Sequence, residues 1–156
     1  GKARLLPYGH LGCVTKDSPT LFRNDINRHI SQIAFTRVAS VNSPWLAGMN
    51  IGDTYGIPVS HGEGKFVVNE ELAKELFENG QVAFQYAEPI DEDVTMRSPN
   101  NPNGSNYGFE CLISKNGQIL GTMCHSERYE HNLFKNIAAN LEQPLFDNAV
   151  KYFRGE

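Results

Sequence analysis

The first half of the chain contains short stretches in which β-branched and aromatic residues partly alternate with polar ones, a pattern typical of strands. These stretches run from Ser31 to Val41, Tyr55 to Ser60, Lys65 to Val68 and Gln81 to Tyr86. A helix is predicted between the last two, because Asn69 can cap its start and apolar residues recur along one face. Asn79 and Gly80 are residues that commonly end such a helix.

A tight turn is the clearest local signal in the second half of the chain. Asn116-Gly117 separates two apolar runs, Tyr107 to Ser114 and Ile119 to Met123, and therefore predicts a β-hairpin. The preceding segment from Glu88 to Ser105 is polar and rich in Pro and Asn, which predicts a long loop.

Helical patterns are predicted from His131 to Asn140 and from Pro144 to Phe153, and Leu5 to Gly9 has the form of a helix tail followed by a Pro/Gly stop. With the strands, these elements predict one α/β or α+β domain. Its sheet is expected to be mixed, with at least one antiparallel pair and with helices flanking it.

Composition narrows the class of protein. The 156 residues carry 14 Lys and Arg against 18 Asp and Glu, a formal net charge of −4, which argues against a nucleic-acid partner. No apolar run approaches the roughly 20 residues that a membrane span needs, so no membrane partner is expected. The three cysteines, Cys13, Cys111 and Cys124, show no CxxC spacing, which favours a reducing, cytoplasmic location.

His125 and Glu127 form the most informative pair for chemistry. Residues two apart in an extended segment project to the same side, so the carboxylate can orient the imidazole and stabilise its protonated form. That arrangement is the base half of a nucleophilic triad. A surface His–Glu pair without a role is the alternative that the spacing alone leaves open.

Two further loops carry polar groups that could line a site. His61 and Glu63 alternate with glycines just after a predicted strand, and Asn101, Asn103 and Ser105 belong to a run rich in hydrogen-bonding side chains. Ordinary turns would explain both loops equally well. A His/carboxylate metal site built from the two His-x-Glu pairs is a further alternative, although no third cluster completes it, and we therefore expect no metal.

Five motifs in order carry a resemblance to a known family. They are Leu5-Leu6-Pro7-Tyr8-Gly9, Asn42-Ser43-Pro44-Trp45-Leu46, Ser60-His61-Gly62-Glu63-Gly64-Lys65, Asn101-Pro102-Asn103-Gly104-Ser105 and His125-Ser126-Glu127-Arg128. Together they resemble the C-terminal glutaminase domain of the phosphoribosylformylglycinamidine synthases of purine biosynthesis, in their long single-chain form. The resemblance implies that residues 1–156 are part of a flavodoxin-like class I glutamine amidotransferase domain.

The family resemblance assigns His125 and Glu127 as two members of a Cys-His-Glu triad. The family's nucleophile lies in a glycine-flanked elbow upstream of the motif at Leu5, outside this sequence, and neither Cys13 nor Cys124 matches it. We therefore expect this chain alone to be inactive.

The resemblance also implies the ligands and partners. It places the segment containing Asn24, Arg28, His29 and Ser31 near the glutamine site, where polar groups would hold the free amino acid. Glutamine and the synthetase domain of the same polypeptide are the implied partners. No cofactor is expected in this chain, whereas ATP and magnesium are implied for the synthetase domain. A non-catalytic module that docks on a synthetase domain is the alternative function.

Overall fold

The computed structural model describes residues 18–156, so the predicted helix tail at Leu5–Gly9 and the position of Cys13 lie outside the described residues. The strands are β1 Thr20–Phe22, β2 Ile30–Val38, β3 Thr54–His61, β4 Lys65–Val67, β5 Val82–Tyr86, β6 Phe109–Ile113 and β7 Leu120–Thr122. The helices are α1 Glu70–Glu78 and α2 Leu145–Arg154.

A five-stranded sheet in the order β3-β2-β5-β6-β7 forms the centre of the fold, and β1 pairs separately with β4. The longest pairing joins β2 to β3, from Ile30 opposite His61 to Arg37 opposite Thr54. Every strand pair within residues 18–156 is antiparallel. The predicted antiparallel hairpins are therefore present, and the parallel pairing that a mixed sheet also contains does not occur in this part of the chain.

The central sheet curls until its two outer strands meet. Val59 of β3 forms an antiparallel bridge with Cys124, which follows the end of β7. The Pro58 carbonyl then accepts a hydrogen bond of 2.8 Å from the backbone N–H of His125. His125 consequently lies at the point where the curled sheet closes.

Local sequence signals explain α1 well. The Asn69 side chain accepts a hydrogen bond of 2.8 Å from the Leu72 N–H, as the predicted cap requires, and such a cap contributes about 1 kcal/mol. Ala73 and Leu76 are the buried residues of the helix, and they pack in an apolar cluster with strand residues such as Phe66. Gly80 follows the helix with φ +63°, a conformation that glycine adopts without strain.

The predicted helix from His131 to Asn140 is wrong. This segment consists of turns, and Asn132 has φ +67°, which no α-helix accommodates. Its end is instead tied to β3, because the Gly56 N–H donates to the Asn140 carbonyl at 2.8 Å and Ala139 packs over Gly56. Contacts with the sheet therefore outweigh a weak local helical pattern.

The other predicted elements are present with small changes at their ends. Tyr107 has φ +54° and belongs to a short 3-10 turn, so β6 begins at Phe109 rather than at Tyr107. The helix predicted from Pro144 is α2, which begins at Leu145. No helix in the described range is long and apolar enough to cross a membrane.

Candidate active site

His125 and Glu127 are in direct contact. The distance between His125 Nδ1 and Glu127 Oε1 is 2.7 Å, within the hydrogen-bond range that a base and its orienting carboxylate require. The spacing suggested that an extended segment holds the pair, but Ser126–Arg128 forms a 3-10 turn. In this turn the Arg128 N–H donates a hydrogen bond of 3.1 Å to the His125 carbonyl. The predicted contact is confirmed, and the local geometry that produces it is different.

The electrostatic setting keeps Glu127 ionised. Partial burial, the largest single effect, raises the pKa of Glu127, but a backbone hydrogen bond and the contacts with His125 and Arg128 together outweigh it and lower the pKa below its usual value. The Glu127 side chain is 51% exposed and that of His125 is 29% exposed. The pair is therefore accessible to a substrate and carries a carboxylate at neutral pH.

Ser126, the residue between His125 and Glu127, is held by a side-chain hydrogen bond. The Ser126 hydroxyl donates to Gln143 Oε1 at 2.5 Å. The amide of Gln143, which is buried, donates in turn to the hydroxyl of Thr36 on β2 at 3.4 Å. This chain of hydrogen bonds fixes the 3-10 turn against the sheet.

His61 ends β3 as a neutral, buried imidazole. Burial, the largest effect, lowers the pKa of His61, and the nearby charges of His29 and His125 lower it further against an opposing backbone hydrogen bond. His61 Nε2 is 3.4 Å from the amide nitrogen of Asn103, so Nε2 accepts and the proton lies on Nδ1. Nδ1 is buried and has no hydrogen-bond partner among residues 18–156. These contacts bring three histidines to one end of the sheet.

The residues of the Asn101–Ser105 loop are used to build the protein interior. Asn103 donates to the buried Tyr86 hydroxyl at 3.0 Å and accepts from the Ser105 hydroxyl at 2.7 Å. Asn101 Oδ1 accepts from the Ser105 N–H at 3.1 Å, and Ser105 Oγ accepts from the Phe66 N–H at 3.0 Å. All three predicted pocket residues in this loop are buried, so their side chains organise the loop around His61.

The predicted substrate segment lies at the same end of the sheet. Asn24 is 2% exposed and binds backbone groups, donating to the His61 carbonyl at 2.8 Å and accepting from the Gly64 N–H at 3.1 Å. His29, which is exposed, contacts the Ser60 hydroxyl at 3.1 Å. Ser31 lines a groove together with Arg128, the residue after Glu127.

The predicted site residues thus fall into two groups. Arg28, His29, Ser31 and Glu63 are exposed, whereas Asn24, His61, Asn101, Asn103 and Ser105 are buried. The binding and pocket roles of both groups, like the catalytic roles of His125 and Glu127, stay predictions.

The two cysteines in the described range are unsuited to attack. Burial raises the pKa of both Cys111 and Cys124 well above the usual value, and the nearby Glu110 carboxylate raises it further. Cys124 is 4% exposed and Cys111 is completely buried. Because the thiolate is the nucleophile, neutral thiols as inaccessible as these are poorly suited to attack a substrate.

The metal alternative finds no support among residues 18–156. No group of three or more His, Cys, Asp or Glu side chains in that range is placed to hold a metal ion.

Sequence reasoning missed two residues that support the site. Glu110 is a single carboxylate within the otherwise apolar strand β6, and this break in the apolar pattern is visible in the sequence. Gln143 lies in a polar stretch with no pattern of its own, and only the fold brings it under Ser126.

The loop after β3 gives a testable consequence for the packing of His61. A Cβ at Gly64 would lie 2.6 Å from the His61 ring, whereas one at Gly62 would meet no atom closer than 3.9 Å. We therefore expect Gly64→Ala to lower the free energy of unfolding by about 1–3 kcal/mol through overpacking. Gly62→Ala is the matched control and should change it by about 0.5 kcal/mol or less in urea denaturation. Equal midpoints for the two variants would contradict the packing described.

Known proteins resemble the chain over much of its length. The sequence model of the CobB/CobQ-like glutamine amidotransferase domain matches residues 1–153. The phosphoribosylformylglycinamidine synthase subunit PurQ of Gloeobacter violaceus is 34% identical over 69% of this chain, and that of Thermomicrobium roseum is 32% identical over 81%. These matches cover 45% and 48% of the two subunits, so the chain spans about half the length of the curated relatives it matches.

The fold itself also has a solved counterpart. The structure of PurLQS from Thermotoga maritima superimposes with a TM-score of 0.64, over 87% of this chain and 53% of that chain, at 21% sequence identity. That likeness shows that this chain and the solved one share a fold over most of this chain. With a family match over nearly its whole length, the chain belongs to the CobB/CobQ-like glutamine amidotransferase domain family.

Proposed function

We propose that His125 and Glu127 are the base and the orienting carboxylate of a Cys-His-Glu glutaminase whose nucleophile lies in the preceding part of the same protein. The observation that carries this proposal is the 2.7 Å contact between His125 Nδ1 and Glu127 Oε1 in a chain of the amidotransferase family. With Nδ1 bonded to the carboxylate, Nε2 is the nitrogen left to accept a thiol proton.

The proposed reaction is hydrolysis of the glutamine side-chain amide. The cysteine thiolate attacks the carboxamide carbon, the protonated imidazole of His125 gives its proton to the leaving ammonia, and water then hydrolyses the glutamyl thioester. Glu127 stabilises the imidazolium while it exists, because its lowered pKa keeps the carboxylate charged. Arg28, His29 and Ser31 are exposed on the neighbouring segment and are the proposed contacts for the amino acid substrate.

The relatives supply the proposed use of the ammonia. The subunits from Gloeobacter violaceus and Thermomicrobium roseum are named as parts of phosphoribosylformylglycinamidine synthase. We therefore assign the ammonia to a synthetase domain that converts formylglycinamide ribonucleotide to the amidine in purine biosynthesis. ATP and magnesium belong to that synthetase domain in this proposal, and a cytoplasmic location goes with it.

The synthetase domain is proposed to be part of the same polypeptide, as in the long single-chain form that the motifs resemble. The relatives named above are separate subunits, so the chain arrangement is a point on which they differ from the proposal. The sequence that precedes Gly1 in the whole protein decides it. A glycine-cysteine-glycine elbow and a synthetase domain on that sequence are the expected finding, and a start codon shortly before the elbow would contradict the single-chain arrangement.

Substituting the orienting carboxylate is the most direct test of the proposed pair. In the full-length protein, Glu127→Gln keeps the size of the side chain but removes its charge, so His125 loses the partner that fixes its tautomer and stabilises its protonated form. We expect kcat for glutamine hydrolysis to fall about 10²-fold or more, with KM changed less than about threefold. The expected loss of kcat is smaller than the roughly 10⁴-fold loss seen for a buried carboxylate in a serine protease, because Glu127 is half exposed and solvent weakens its interaction with His125.

The pH dependence of kcat is a second test of the role of Glu127. Because its folded-state pKa is lowered, the Glu127 interaction is complete above the ordinary glutamate pKa and is lost as pH falls through the lowered value. The carboxylate should therefore stay ionised across the neutral range, and the loss of kcat in Glu127→Gln should be present at both pH 6 and pH 8. Unchanged kcat in this variant would contradict the triad and favour the alternative, a non-catalytic module that docks on a synthetase domain.

A further inference from the structure

Glu110 is a buried carboxylate, the second residue of β6. It is 4% exposed, and no Lys, Arg or His side chain within residues 18–156 forms an ion pair with it. Burial, the largest effect, raises the pKa of Glu110 even though several hydrogen bonds act to lower it. Removing a charged group from water is costly unless its oxygens find donors, so the contacts of this side chain show what it holds in place.

Within residues 18–156, the hydrogen bonds that the Glu110 carboxylate accepts come from one short segment. Its Oε1 accepts from the Thr122 hydroxyl, from the Met123 N–H at 2.9 Å and from the Cys124 N–H at 2.8 Å. These three residues are consecutive, and His125 follows them directly. The carboxylate therefore holds the backbone that leads into the catalytic histidine.

The sheet holds this backbone only in part. The paired register of β6 and β7 ends at Thr122, opposite Cys111, and the chain then crosses to the other edge of the sheet. At the crossing, the Met123 N–H reaches the Glu110 carbonyl at 3.3 Å, and the Cys124 N–H bonds to side-chain oxygens, that of Glu110 at 2.8 Å and that of Thr122 at 3.1 Å. Because a buried N–H without an acceptor is destabilising, the Glu110 carboxylate adds an acceptor for both groups where regular strand pairing ends.

Separate contacts fix the chain at and after His125. The His125 N–H donates to the Pro58 carbonyl at 2.8 Å, and the Ser126 hydroxyl donates to Gln143 at 2.5 Å. Glu110 thus contributes to fixing the approach to His125, at the peptide of Cys124, together with the Thr122 hydroxyl and the bridge to Val59. Small displacements of a catalytic base have large effects on rate, because proton transfer requires the reacting atoms to be aligned.

We infer that Glu110 is a positioning residue for His125, acting through the backbone of Met123 and Cys124. This inference rests on the proposed glutaminase function. It assigns no contact between Glu110 and substrate, and its effect is expected in kcat rather than in substrate binding.

The test compares three substitutions at Glu110 in the full-length protein. Glu110→Gln keeps an uncharged oxygen acceptor at the same reach, whereas Glu110→Asp keeps the charge but withdraws the oxygens by one methylene. Glu110→Ala removes the acceptor. If position matters more than charge, kcat for glutamine hydrolysis should fall less than about threefold in the Gln variant and about tenfold or more in the Asp and Ala variants. KM should change less than about twofold in all three.

A second readout does not depend on activity. The imidazole resonances and titration of His125, followed by NMR in the same proteins, should shift in the Asp and Ala variants and stay close to wild type in the Gln variant. Leu76→Ala is the control for lost stability, because Leu76 is buried in the cluster around α1 and the variant should unfold more easily without moving the His125 signals. If Glu110→Ala does not fold, the contrast between Gln and Asp carries the test.

The outcomes separate this inference from the function on which it rests. A wild-type protein that forms no glutamate from glutamine contradicts the proposed function, and the His125 resonances then still decide whether Glu110 positions the ring. A glutaminase whose kcat and His125 signals are unchanged in both the Asp and Ala variants overturns the positioning role alone. A loss of kcat in the Gln variant with kcat kept in the Asp variant would also overturn it, because charge rather than reach would then be the cause.

Discussion

Replacing His125 by alanine in the full-length protein is expected to abolish glutamine hydrolysis. The His125 imidazole, whose Nδ1 lies 2.7 Å from Glu127 Oε1, is the proposed group that takes the thiol proton and returns it to the leaving ammonia. Alanine can do neither. Loss of the histidine from a serine-protease triad lowers kcat about 10⁶-fold, and we expect a loss of comparable order here. Glutamate release in the absence and presence of ATP is the measurement.

The neighbouring cysteine is the matched control for this variant. Cys124 precedes His125, but its thiol is buried and burial raises its pKa, so it is a packing group rather than a nucleophile. Cys124→Ser should therefore keep most of the glutaminase activity. A large loss of activity in Cys124→Ser together with substantial activity in His125→Ala would contradict both assignments, that of His125 as the base and that of Cys124 as a packing group.

Several elements could be predicted from the sequence because their causes are local. The hairpin between β6 and β7 turns at Asn116-Gly117, where Gly117 adopts φ +70°, a value that the turn type requires. Helix α1 follows its cap at Asn69 for the same reason, since the cap bond to Leu72 spans only three residues. In both places the information needed lies within one short stretch of chain.

The segment from His131 to Asn140 could not be predicted because its cause is distant. The Asn140 carbonyl bonds to Gly56 of β3, and the side chains of Ala139 and Leu141 pack against the space that this glycine leaves. A residue on a strand more than 80 positions earlier decides the local backbone. Propensity is a weak guide where such packing competes with it.

The candidate site divides along the same line. The His125–Glu127 contact could be predicted because two complementary groups lie two residues apart, although the turn that joins them differs from the extended segment expected. Its supports could not, because Glu110 and Gln143 reach residues 122–126 only through the curl of the sheet. A lone carboxylate in an apolar strand is the one signal in the sequence that pointed to them.

The curl also explains why parts of the predicted pocket turned out to be buried. The side-chain amide of Asn24 donates to the His61 carbonyl, and that of Asn103 donates to the Tyr86 hydroxyl. Both side chains therefore bind protein groups next to the site. The exposed residues next to them, His29 and Ser31, are the ones a ligand can reach from solvent. Hydrogen-bonding side chains in a loop predict a polar cluster, but burial decides whether that cluster faces a substrate or the interior.

The isolated chain of residues 1–156 is expected to show no glutaminase activity above background, with or without ATP. Of the proposed triad it carries the base and its orienting carboxylate, and the two cysteines in the described range are buried, neutral thiols. Loss of the nucleophile from a serine-protease triad costs about 10⁶-fold in kcat, because the remaining groups act only through it. A protein extended upstream through the expected elbow should hydrolyse glutamine, and release of glutamate is the measurement for both.

Two variants make this comparison decisive. In the extended protein, mutation of the elbow cysteine to alanine should lower activity to the level of the isolated chain, while Cys111→Ser should leave it nearly unchanged, because Cys111 is completely buried in β6. Robust hydrolysis by the isolated chain, lost on mutation of Cys13 or Cys124, would instead place the nucleophile within this sequence. The thiol would then have to be exposed and ionised in the active state, which labelling with iodoacetamide at neutral pH would detect directly.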